Sequence, residues 1–554
     1  MQMRVIAVSL ANHGLWPSNI QRELMSAPRS SVLHLVIIRL LPCLLGSVSA
    51  QSHADAPAAT ARLGINLARP SDSATELPFV DVFRTARPWI SQRRGASWAQ
   101  GPELAVDALG WVESLQPDCY AEAMLCTIPD GHFPAGIYTV FYEGEGQLAF
   151  SKSVKVRESQ PGRILIDVDS SKRGFSLRIE ETNPTTPIRN IHVIMPGFAE
   201  TWEKEPFHPA FLKRWEGMAC FRFMDWMDTN HSEVRSWGDR PTLAHATFSR
   251  RGVALEWMIE LCNATGVDPW FCMPHLADDE FIHNFAVMTK QRLDPSRRVY
   301  IEYSNELWNG QFAQSKYAQD QGLKLGLGRP GRRYEAGRKF TALRSMQIFE
   351  IWGHAFGGNE RLVRVLPSHS GNKGVSEDIL GFREAANHAD ALAVAPYMPF
   401  TVGRGRLKDS GARFDDLSVD QLLDYFEETA LQTGLERMDR DKAVADKHGL
   451  KLIAYEGGQH MVAFGRDRDL VARLTAKMQD ANRHPRMGDI YRRYFDHWAA
   501  IGGGTLAVFL SIKRWNKSGA WGVAEFYDSK PSEYPKYDAV LDWAKRNGQP
   551  TGRK

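Results

Sequence analysis

From about residue 219 onward, short apolar runs alternate with stretches of helical periodicity. The runs are almost continuously apolar, which is typical of strands that are covered on both faces. Strands and helices in regular alternation are the pattern of a parallel sheet, because each connection must cross back over one face of the sheet. This alternation limits the possible folds more than any single motif in the chain.

The number of apolar runs distinguishes an open sheet from a closed barrel. Eight runs are present when an early segment, 63–67, is counted as the first. The other seven are 220–226, 269–275, 299–306, 361–366, 391–397, 452–456 and 505–511. Eight parallel strands with helices between them predict an α/β fold, the (β/α)8 TIM barrel.

The stretch between the first two runs is too long for a βα loop. Its segments 136–142, 147–150, 163–168 and 175–179 alternate apolar and polar residues between Gly, Ser and Asp turns. Because this period is that of half-buried antiparallel strands, we expect an inserted β-rich, sandwich-like domain.

We place this insert at 98–188, within a barrel formed by 51–97 and 189–545, and treat 546–554 as a tail. The run 191–196 could close the insert or serve as a barrel strand. We interpret it as part of the insert, because counting it in the barrel would give a ninth strand.

Residues 1–50 have the features of an export signal. A positive charge precedes an interrupted apolar stretch over 32–45, and 48–50 form a small-residue cleavage site. Arg39 interrupts the apolar stretch, which does not suit a membrane-spanning helix of about 20 apolar residues. Met25 would give a signal of ordinary length and could be the true start. We expect a secreted or periplasmic protein with no membrane association after cleavage.

The composition excludes some partners and cofactors. A net charge of +3 over 554 residues gives no reason to expect a nucleic-acid partner. The chain lacks a His-x-His or His-Glu-x-x-His motif, a Gly-x-Ser-x-Gly elbow and a glycine-rich phosphate loop after the first strand. We therefore expect neither a metal nor another cofactor.

Five cysteines follow the predicted signal, and their odd number leaves at least one free thiol. Cys119 and Cys126 are close enough in sequence to bridge a hairpin, and the sequence leaves open whether they do. Cys220 and Cys272 fall inside apolar runs and are expected to be buried.

Two glutamates end predicted strands. Glu306 ends the fourth run, within Asn-Glu-Leu-Trp-Asn, and Glu456 ends the seventh run, before Gly-Gly. The carboxyl ends of barrel strands are where such folds carry catalytic groups. Two facing carboxyls cleave glycosidic bonds, with retention at a separation of about 5–5.5 Å and with inversion at about 6.5–9.5 Å. The strand assignment alone does not distinguish these two separations.

An Asn-Glu pair at the end of strand four and a glutamate at the end of strand seven resemble the signature of the clan A retaining glycoside hydrolases, which are (β/α)8 barrels. The resemblance implies that Glu306 is the acid/base and Glu456 the nucleophile. For a retaining pair it also implies a carboxyl separation near 5 Å. Asn305 would hydrogen-bond the sugar 2-hydroxyl. The sequence around Glu306 is also similar to exported bacterial proteins whose substrates are mostly unassigned. The resemblance covers the barrel but not the insert.

The same resemblance implies supporting residues around the pair. Arg222, at the end of strand two, would steady the nucleophile, and Tyr397, ending strand six, would contact it. Trp515, after strand eight, would form the floor of the −1 subsite. Beside these, Trp308 lies just after Glu306 and could contact substrate. His275, which ends strand three, could bind substrate hydroxyls or could be a rim histidine that is hydrogen-bonded within the protein.

Each of these residues also has a structural alternative. Glu306 could cap the next helix, where negative charge is favourable. Arg222 could form a structural ion pair with Asp225 or with Glu302, which should point into the barrel because it lies at even spacing from Glu306. Tryptophans that could be either sugar platforms or core residues are Trp202, Trp226, Trp237 and Trp521.

The leading hypothesis is a secreted, monomeric glycoside hydrolase that cleaves β-glycosidic bonds of a polysaccharide or oligosaccharide with retention. A second hypothesis is a non-catalytic carbohydrate-binding protein on the same barrel. A third is an inverting or α-acting glycosidase. The sugar, the linkage, endo or exo action and the role of the insert stay open at this point.

Overall fold

The computed structural model describes residues 61–403 and 410–551. The predicted export signal at 1–50, including Met25, lies outside these residues, as do 51–60 of the predicted barrel and 552–554 of the predicted tail. Within the described ranges, no helix combines the length and the apolarity that a bilayer crossing requires.

Eight parallel strands close into a barrel, which confirms the predicted architecture. The first strand pairs in parallel with both the second and the eighth, so that the sheet has no free edge. In chain order the barrel strands are Arg62–Asn66, Cys220–Arg222, Asp268–Met273, Val299–Tyr303, Leu362–Pro367, Ala391–Val394, Lys451–Ala454 and Thr505–Val508.

Helices surround the barrel and cover the apolar outer faces of the strands. The α-helices are Pro209–Trp215, Leu255–Thr265, Asp279–Arg292, Ala313–Lys324, Arg333–Phe356, Lys373–Leu380, Ser410–Asp416, Val419–Phe426, Gln432–Lys447, Arg468–Arg483, Pro485–Ala500 and Pro535–Arg546. Inside the barrel, a second apolar cluster includes Trp270, Tyr300 and Ile453. The interior is therefore packed, and polar side chains that face inward at the carboxyl end are held by the residues around them.

The insert consists of two four-stranded antiparallel sheets that share one apolar core. The first sheet contains, in spatial order, Ile90–Arg93, Cys119–Leu125, Phe175–Thr182 and Gly146–Phe150. The second contains Arg189–Ile194, Gly136–Glu143, Arg163–Val168 and Val154–Gln160. A separate hairpin joins Ala105–Val106 to Val112–Ser114.

The sheets of the insert extend past the predicted boundaries at 98 and 188. Ile90–Arg93 pairs with Cys119–Leu125, and Arg189–Ile194 pairs with Gly136–Glu143. The first of these strands is short and has no clear alternation, so only its partner in the sheet defines it. The insert leaves the barrel after the first strand and therefore begins at the carboxyl end of the barrel.

The predicted tail at 546–554 is part of the barrel wherever it is described. The Gln549 side chain accepts a hydrogen bond from the Leu63 backbone N–H at 2.7 Å. Its amide donates to the carbonyl oxygens of Leu63 at 2.8 Å and Gly217 at 3.1 Å. A polar residue in a terminal stretch has no local pattern that would reveal such a contact.

Cys119 and Cys126 are both buried free thiols. Cys119 is the first residue of the extended strand Cys119–Leu125, and Cys126 directly follows its last residue. Because a strand advances about 3.4 Å per residue, their Cα atoms are too far apart for a disulfide. Cys220 and Cys272 are buried in the barrel, as expected.

Candidate active site

Arg222 lies at the centre of the carboxyl end of the barrel and is fully buried. Its Nε and Nη2 donate to the two oxygens of Glu302 at 3.0 and 3.1 Å. Nη2 also donates to Asn305 Oδ1 at 2.9 Å, and Nη1 donates to Asn66 Oδ1 at 3.1 Å and Glu456 Oε1 at 3.0 Å. All five guanidinium N–H groups therefore have acceptors, and the orientation of Arg222 is determined.

Glu302 serves as a structural counterion of Arg222. It is fully buried in strand four and also accepts a hydrogen bond from Trp270 Nε1 at 2.8 Å. The structural alternative for Arg222, an ion pair with Glu302, is present together with its contact to Glu456. One arginine thus joins a carboxylate in the barrel interior to the carboxyl group at the end of strand seven.

Glu456 follows strand seven and receives two hydrogen bonds, one on each oxygen. Arg222 donates to Oε1 at 3.0 Å, and the Tyr397 hydroxyl donates to Oε2 at 2.9 Å. Burial and the nearby carboxylate of Glu456 raise the pKa of Tyr397, so its hydroxyl keeps its proton and donates. Both donors favour the ionised form of Glu456.

Glu306 follows strand four in a strained backbone segment. Ser304 and Glu306 have φ values of 58° and 42°, in the left-handed region that non-glycine residues rarely occupy. Glu306 Oε2 accepts from Asn309 Nδ2 at 2.9 Å, and Oε1 accepts from the Tyr455 hydroxyl at 3.4 Å. The helix-capping alternative for Glu306 is wrong, because Phe312 precedes the first turn of the next helix.

The two glutamates influence each other's ionisation. Burial raises the pKa of both Glu306 and Glu456, and the charge of Glu306 adds to the rise on Glu456. Arg222 opposes the rise on both. Two carboxyls in one apolar site cannot easily carry two negative charges, so the pair favours a state that holds one proton.

Asn305 is held from both sides of its amide. Its Oδ1 accepts from Arg222, and its Nδ2 donates to Asn230 Oδ1 at 3.0 Å. Gln314 supports this arrangement by donating to Asn230 Oδ1 at 2.7 Å and to the Asn305 carbonyl oxygen at 3.0 Å. One N–H of Asn305 Nδ2 stays available for a hydroxyl in the cleft.

Asn230 and Gln314 were missed by reasoning from the sequence. Asn230 lies in the loop after strand two, and Gln314 lies in the first turn of the helix Ala313–Lys324. Single polar residues in such positions carry no sequence signal. Only the folding of the loop after strand two brings Asn230 to Asn305.

An aromatic cluster surrounds Tyr397 beside Glu456. The Trp521 ring lies 6.1 Å from Tyr397, 4.9 Å from His460 and 5.7 Å from Phe509, measured between centroids. These four rings are partly exposed, so they form a surface that a sugar ring can contact.

Trp515 does not line this surface, contrary to the role that the resemblance implied. Its side chain is buried, with Arg483 and Lys536 each 4.6 Å from the ring. The chain turns back between Asn516 and Gly519, and this turn brings Trp521 to Tyr397 instead. The sequence shows two tryptophans after strand eight but not the turn that selects between them.

Trp308 forms a second flat surface on the Glu306 side. Its ring stacks on His369 with centroids 4.0 Å apart and an interplanar angle of 8°. His275 is buried against Tyr317, with ring centroids 5.4 Å apart, and burial lowers its pKa to about 4. His275 is therefore neutral near pH 7, and its contact with substrate stays a prediction.

The other tryptophans that were considered have different roles. Trp226 is a fully buried core residue. Trp202 packs against His192 of the insert, and Trp237 contacts Phe281. In the part of the chain that the structure describes, no group of three His, Cys, Asp or Glu side chains is placed to hold a metal ion.

Comparisons with known proteins give matches of structure only. No family model and no curated protein sequence matches the chain. Similar solved structures include the CBM22-1–GH10 modules of a Clostridium thermocellum endo-1,4-β-D-xylanase, with 10% identity, a TM-score of 0.35, and coverage of 87% of this chain and 98% of that one.

Two other similar structures have lower coverage of this chain. A glycoside hydrolase family 5 enzyme from Prevotella bryantii has 10% identity, a TM-score of 0.36, and coverage of 63% of this chain and 89% of its own. An endo-1,4-β-D-mannanase from Thermotoga petrophila has 11% identity, a TM-score of 0.32, and coverage of 61% and 94%. At such scores these likenesses carry no argument about activity.

Proposed function

We propose that the protein is a retaining glycoside hydrolase that cleaves β-glycosidic bonds of a polysaccharide or oligosaccharide. The observation that carries this proposal is the pair Glu306 and Glu456, which follow strands four and seven and are held by unequal sets of donors. Glu456 is buried and Glu306 is partly exposed. Such a pair supplies one carboxylate and one carboxylic acid at the same time.

The contacts favour Glu306 as the group that holds the proton. Glu456 accepts from the Arg222 guanidinium and from the Tyr397 hydroxyl, and both stabilise its negative charge. Glu306 accepts only from a neutral amide and from a longer hydroxyl contact. The proton shared by the pair is therefore more stable on Glu306.

In the first step, the Glu456 carboxylate attacks the anomeric carbon while Glu306 gives its proton to the glycosidic oxygen. The carbon–oxygen bond to the leaving group breaks, the leaving group departs as an alcohol, and the sugar becomes an ester of Glu456. The negative charge of Glu456 is then lost. Because that charge no longer repels the ionised form of Glu306, the pKa of Glu306 falls and its carboxylate is stable.

In the second step, Glu306 takes a proton from water, and the resulting oxygen nucleophile attacks the anomeric carbon. The ester bond breaks, Glu456 leaves as a carboxylate, and Glu306 is again protonated. Two displacements at one carbon restore its original configuration. This cycle needs no group beyond the substrate, water and the two side chains.

The surroundings suggest how a sugar chain lies. The partly exposed rings near Tyr397, which include Trp521 and Phe509, support the sugar whose anomeric carbon meets Glu456. The surface of Trp308 and His369 lies on the side of Glu306 and suits the leaving group. The free N–H of Asn305 Nδ2 suits a hydroxyl of the first sugar.

Location and assembly are also part of the proposal. The signal-like features of residues 1–50 support export to the periplasm or the medium, and nothing in the site needs a second subunit. N-terminal sequencing of the exported protein would test cleavage before Gln51. Light scattering would test the monomer.

The decisive experiment combines product stereochemistry with the Glu456→Ala variant. Proton NMR of the first-formed product from a panel of aryl β-glycosides should show the β-anomer. Glu456→Ala should lose turnover, and added azide should restore activity with a product of inverted configuration. Unchanged activity in Glu456→Ala would overturn the assignment, and sugar binding without turnover by the wild type would favour the non-catalytic alternative.

A further inference from the structure

A cleft of about 370 Å³ separates the insert from the loop that follows barrel strand two. The segment around Trp89 and the hairpin residues 104–110 form its insert wall. Residues 245–247 with Arg250 and Arg251 form its barrel wall. Neither Glu306 nor Glu456 lines this cleft, so the proposed chemistry does not account for it.

This cleft shares two residues with a second cleft, which in turn includes a neighbour of the candidate active site. Arg250 and Arg251 also line a second cleft, of about 420 Å³, which includes Asn230. Asn230 in turn accepts the hydrogen bond from Asn305, the neighbour of Glu306. The two clefts are therefore adjacent along Arg250 and Arg251, on the side of the candidate site where Asn230 lies.

The cleft beside the insert has an excess of positive charge. Arg87 pairs with Asp72 at 2.7 Å, and Asp107 pairs with Arg189 at 3.0 Å. In contrast, Arg250 and Arg251 are exposed and form no ion pair with any described residue.

In the second cleft, acidic side chains balance the positive charge of the arginines. There, Asp228 pairs with Arg69 at 2.8 Å, and Glu233 and Asp239 add negative charge. Arg250 and Arg251 line both clefts, but the cleft beside the insert has fewer acidic residues to balance them. On that side their charge can meet the acidic groups of a bound molecule.

The wall opposite the arginines suits a sugar ring. The Trp89 indole N–H is already bonded to the Gly110 carbonyl oxygen at 3.1 Å, so its ring can act as an apolar surface. Val106 is exposed to 41% on the same wall. An apolar wall facing two guanidinium groups matches a sugar that carries an acidic group.

We propose that this cleft is a distal subsite for an anionic glycan, whose carboxylate or sulfate groups bind Arg250 and Arg251. This inference rests on the proposed function, and it names the substrate class as an acidic polysaccharide. The insert then serves as one wall of an extended binding site rather than as a separate module.

The test measures binding of intact protein to four soluble polymers without relying on turnover. Two of the polymers are acidic: polygalacturonate carries carboxylates, and chondroitin sulfate carries both carboxylates and sulfates. The other two, glucomannan and mixed-linkage β-glucan, are neutral. We expect the acidic polymers to bind more tightly, with an affinity that falls as salt rises. A preference between the two acidic polymers identifies the acidic group.

The double variant R250Q/R251Q should bind the acidic polymers about tenfold more weakly, the order expected for two exposed charge pairs. R250K/R251K should keep most of the affinity because it keeps the charge. K172Q/R173Q is the matched control, since it removes two adjacent exposed cations from the insert away from the cleft.

The inference is overturned when R250Q/R251Q binds the acidic polymers as tightly as K172Q/R173Q, or when neutral polymers bind equally well. Hydrolysis of an aryl β-glycoside separates this failure from that of the proposed function. If R250Q/R251Q and the wild type hydrolyse it equally while polymer binding is also equal, only the subsite is wrong. If no variant hydrolyses it but acidic binding still depends on the arginines, the subsite stands and the hydrolase is wrong.

Discussion

Each module of the protein contains a buried carboxyl cluster, and the two clusters differ in how their charges are balanced. In the insert, Glu122 accepts from Ser176 Oγ at 2.5 Å, Arg178 Nε at 2.9 Å and Gln92 Nε2 at 3.2 Å. One carboxylate there has one cation and two neutral donors. Such a satisfied group links its own strand to the two strands that pair with it.

In the barrel, a single buried arginine serves several carboxyls. Arg222 bonds directly to Glu302 and Glu456, and its charge opposes the rise in the pKa of Glu306 that burial causes. One positive charge cannot balance three negative charges, so the cluster favours keeping a proton. The comparison teaches that incomplete compensation of charge, rather than burial itself, distinguishes the cluster proposed to transfer protons.

The backbone around the two clusters also differs, because it is regular in the insert and strained in the barrel. Glu122 lies in a regular strand that pairs with two neighbours. Ser304 and Glu306 lie in the left-handed region directly after strand four. A strained backbone costs roughly 1–3 kcal/mol per residue and persists where its surroundings determine it, often at functional sites.

The largest effect is expected for Glu306→Gln, which removes the proposed acid but keeps its shape. Activity should fall by about 10²–10⁴-fold. In the wild type, activity should decline as pH rises through the raised pKa of Glu306, and this alkaline decline should be absent in the variant. The pH dependence of kcat/KM checks both points.

Although Glu306→Gln should lower activity, it should raise the thermal stability of the protein at high pH. Because the folded-state pKa of Glu306 is raised, the folded protein binds the proton more tightly than the unfolded chain does. This contribution to stability is present at low pH and is lost as pH rises through the folded pKa. The variant should therefore have a higher Tm than the wild type above that pH, and a lower Tm there would contradict the raised pKa.

The next effect is expected for Arg222→Met, which leaves Glu302 and Glu456 without their cation. Breaking such a buried pair should lower the free energy of unfolding by about 3–5 kcal/mol. The matched change in the insert is Arg178→Met, which leaves the single carboxylate of Glu122 with its two neutral donors. It should cost less, about 1–3 kcal/mol. Urea unfolding of both variants tests this difference, and equal losses would mean that the two clusters are alike.

Substitution of the two tryptophans after strand eight tests which of them lies beside the sugar at the proposed nucleophile. Trp515→Ala removes a buried core ring and should cost about 3–5 kcal/mol of stability. Trp521→Ala should leave stability nearly unchanged but lower kcat/KM by about tenfold, through loss of ring stacking. Thermal unfolding and kinetics on the same substrate distinguish them, and the reverse pattern would return Trp515 to the sugar site.

The smallest effect on activity is expected for Glu122→Gln. Loss of the charge paired with Arg178 should lower the free energy of unfolding by about 1–3 kcal/mol. Its kcat/KM should match the wild type, because its partners Ser176, Arg178 and Gln92 all belong to the insert. A loss of activity in a folded variant would show that the insert influences the site.

Much of the architecture was predictable because it depends on local periodicity. All eight barrel strands were identified from continuous apolar runs, although each observed strand ends close to, rather than at, the predicted residue. Alternating residues likewise revealed four strands of the insert, and the run 191–196 gave a fifth. The strands Cys119–Leu125 and Val154–Gln160 were not identified. The strand Ile90–Arg93 was missed because its pairing with Cys119–Leu125 is not local.

The candidate site was predictable to the extent that residues stand at strand ends. Glu456, Arg222, Asn305 and Tyr397 lie at such ends, and the structure joins them through hydrogen bonds. Whether they act in catalysis stays a prediction, as does the carboxyl separation near 5 Å.

The sequence by itself therefore determined the eight-stranded order, the β-rich insert and the presence of two carboxyls at strand ends. These follow from side-chain periods of two and 3.6 residues, which are local properties. Only the tertiary structure decided that Trp521 rather than Trp515 lies beside Tyr397, that Asn230 and Gln314 hold Asn305, and that Arg250 and Arg251 face the insert. Loops that cross between distant elements make these contacts, and their conformations depend on the packing of the whole fold.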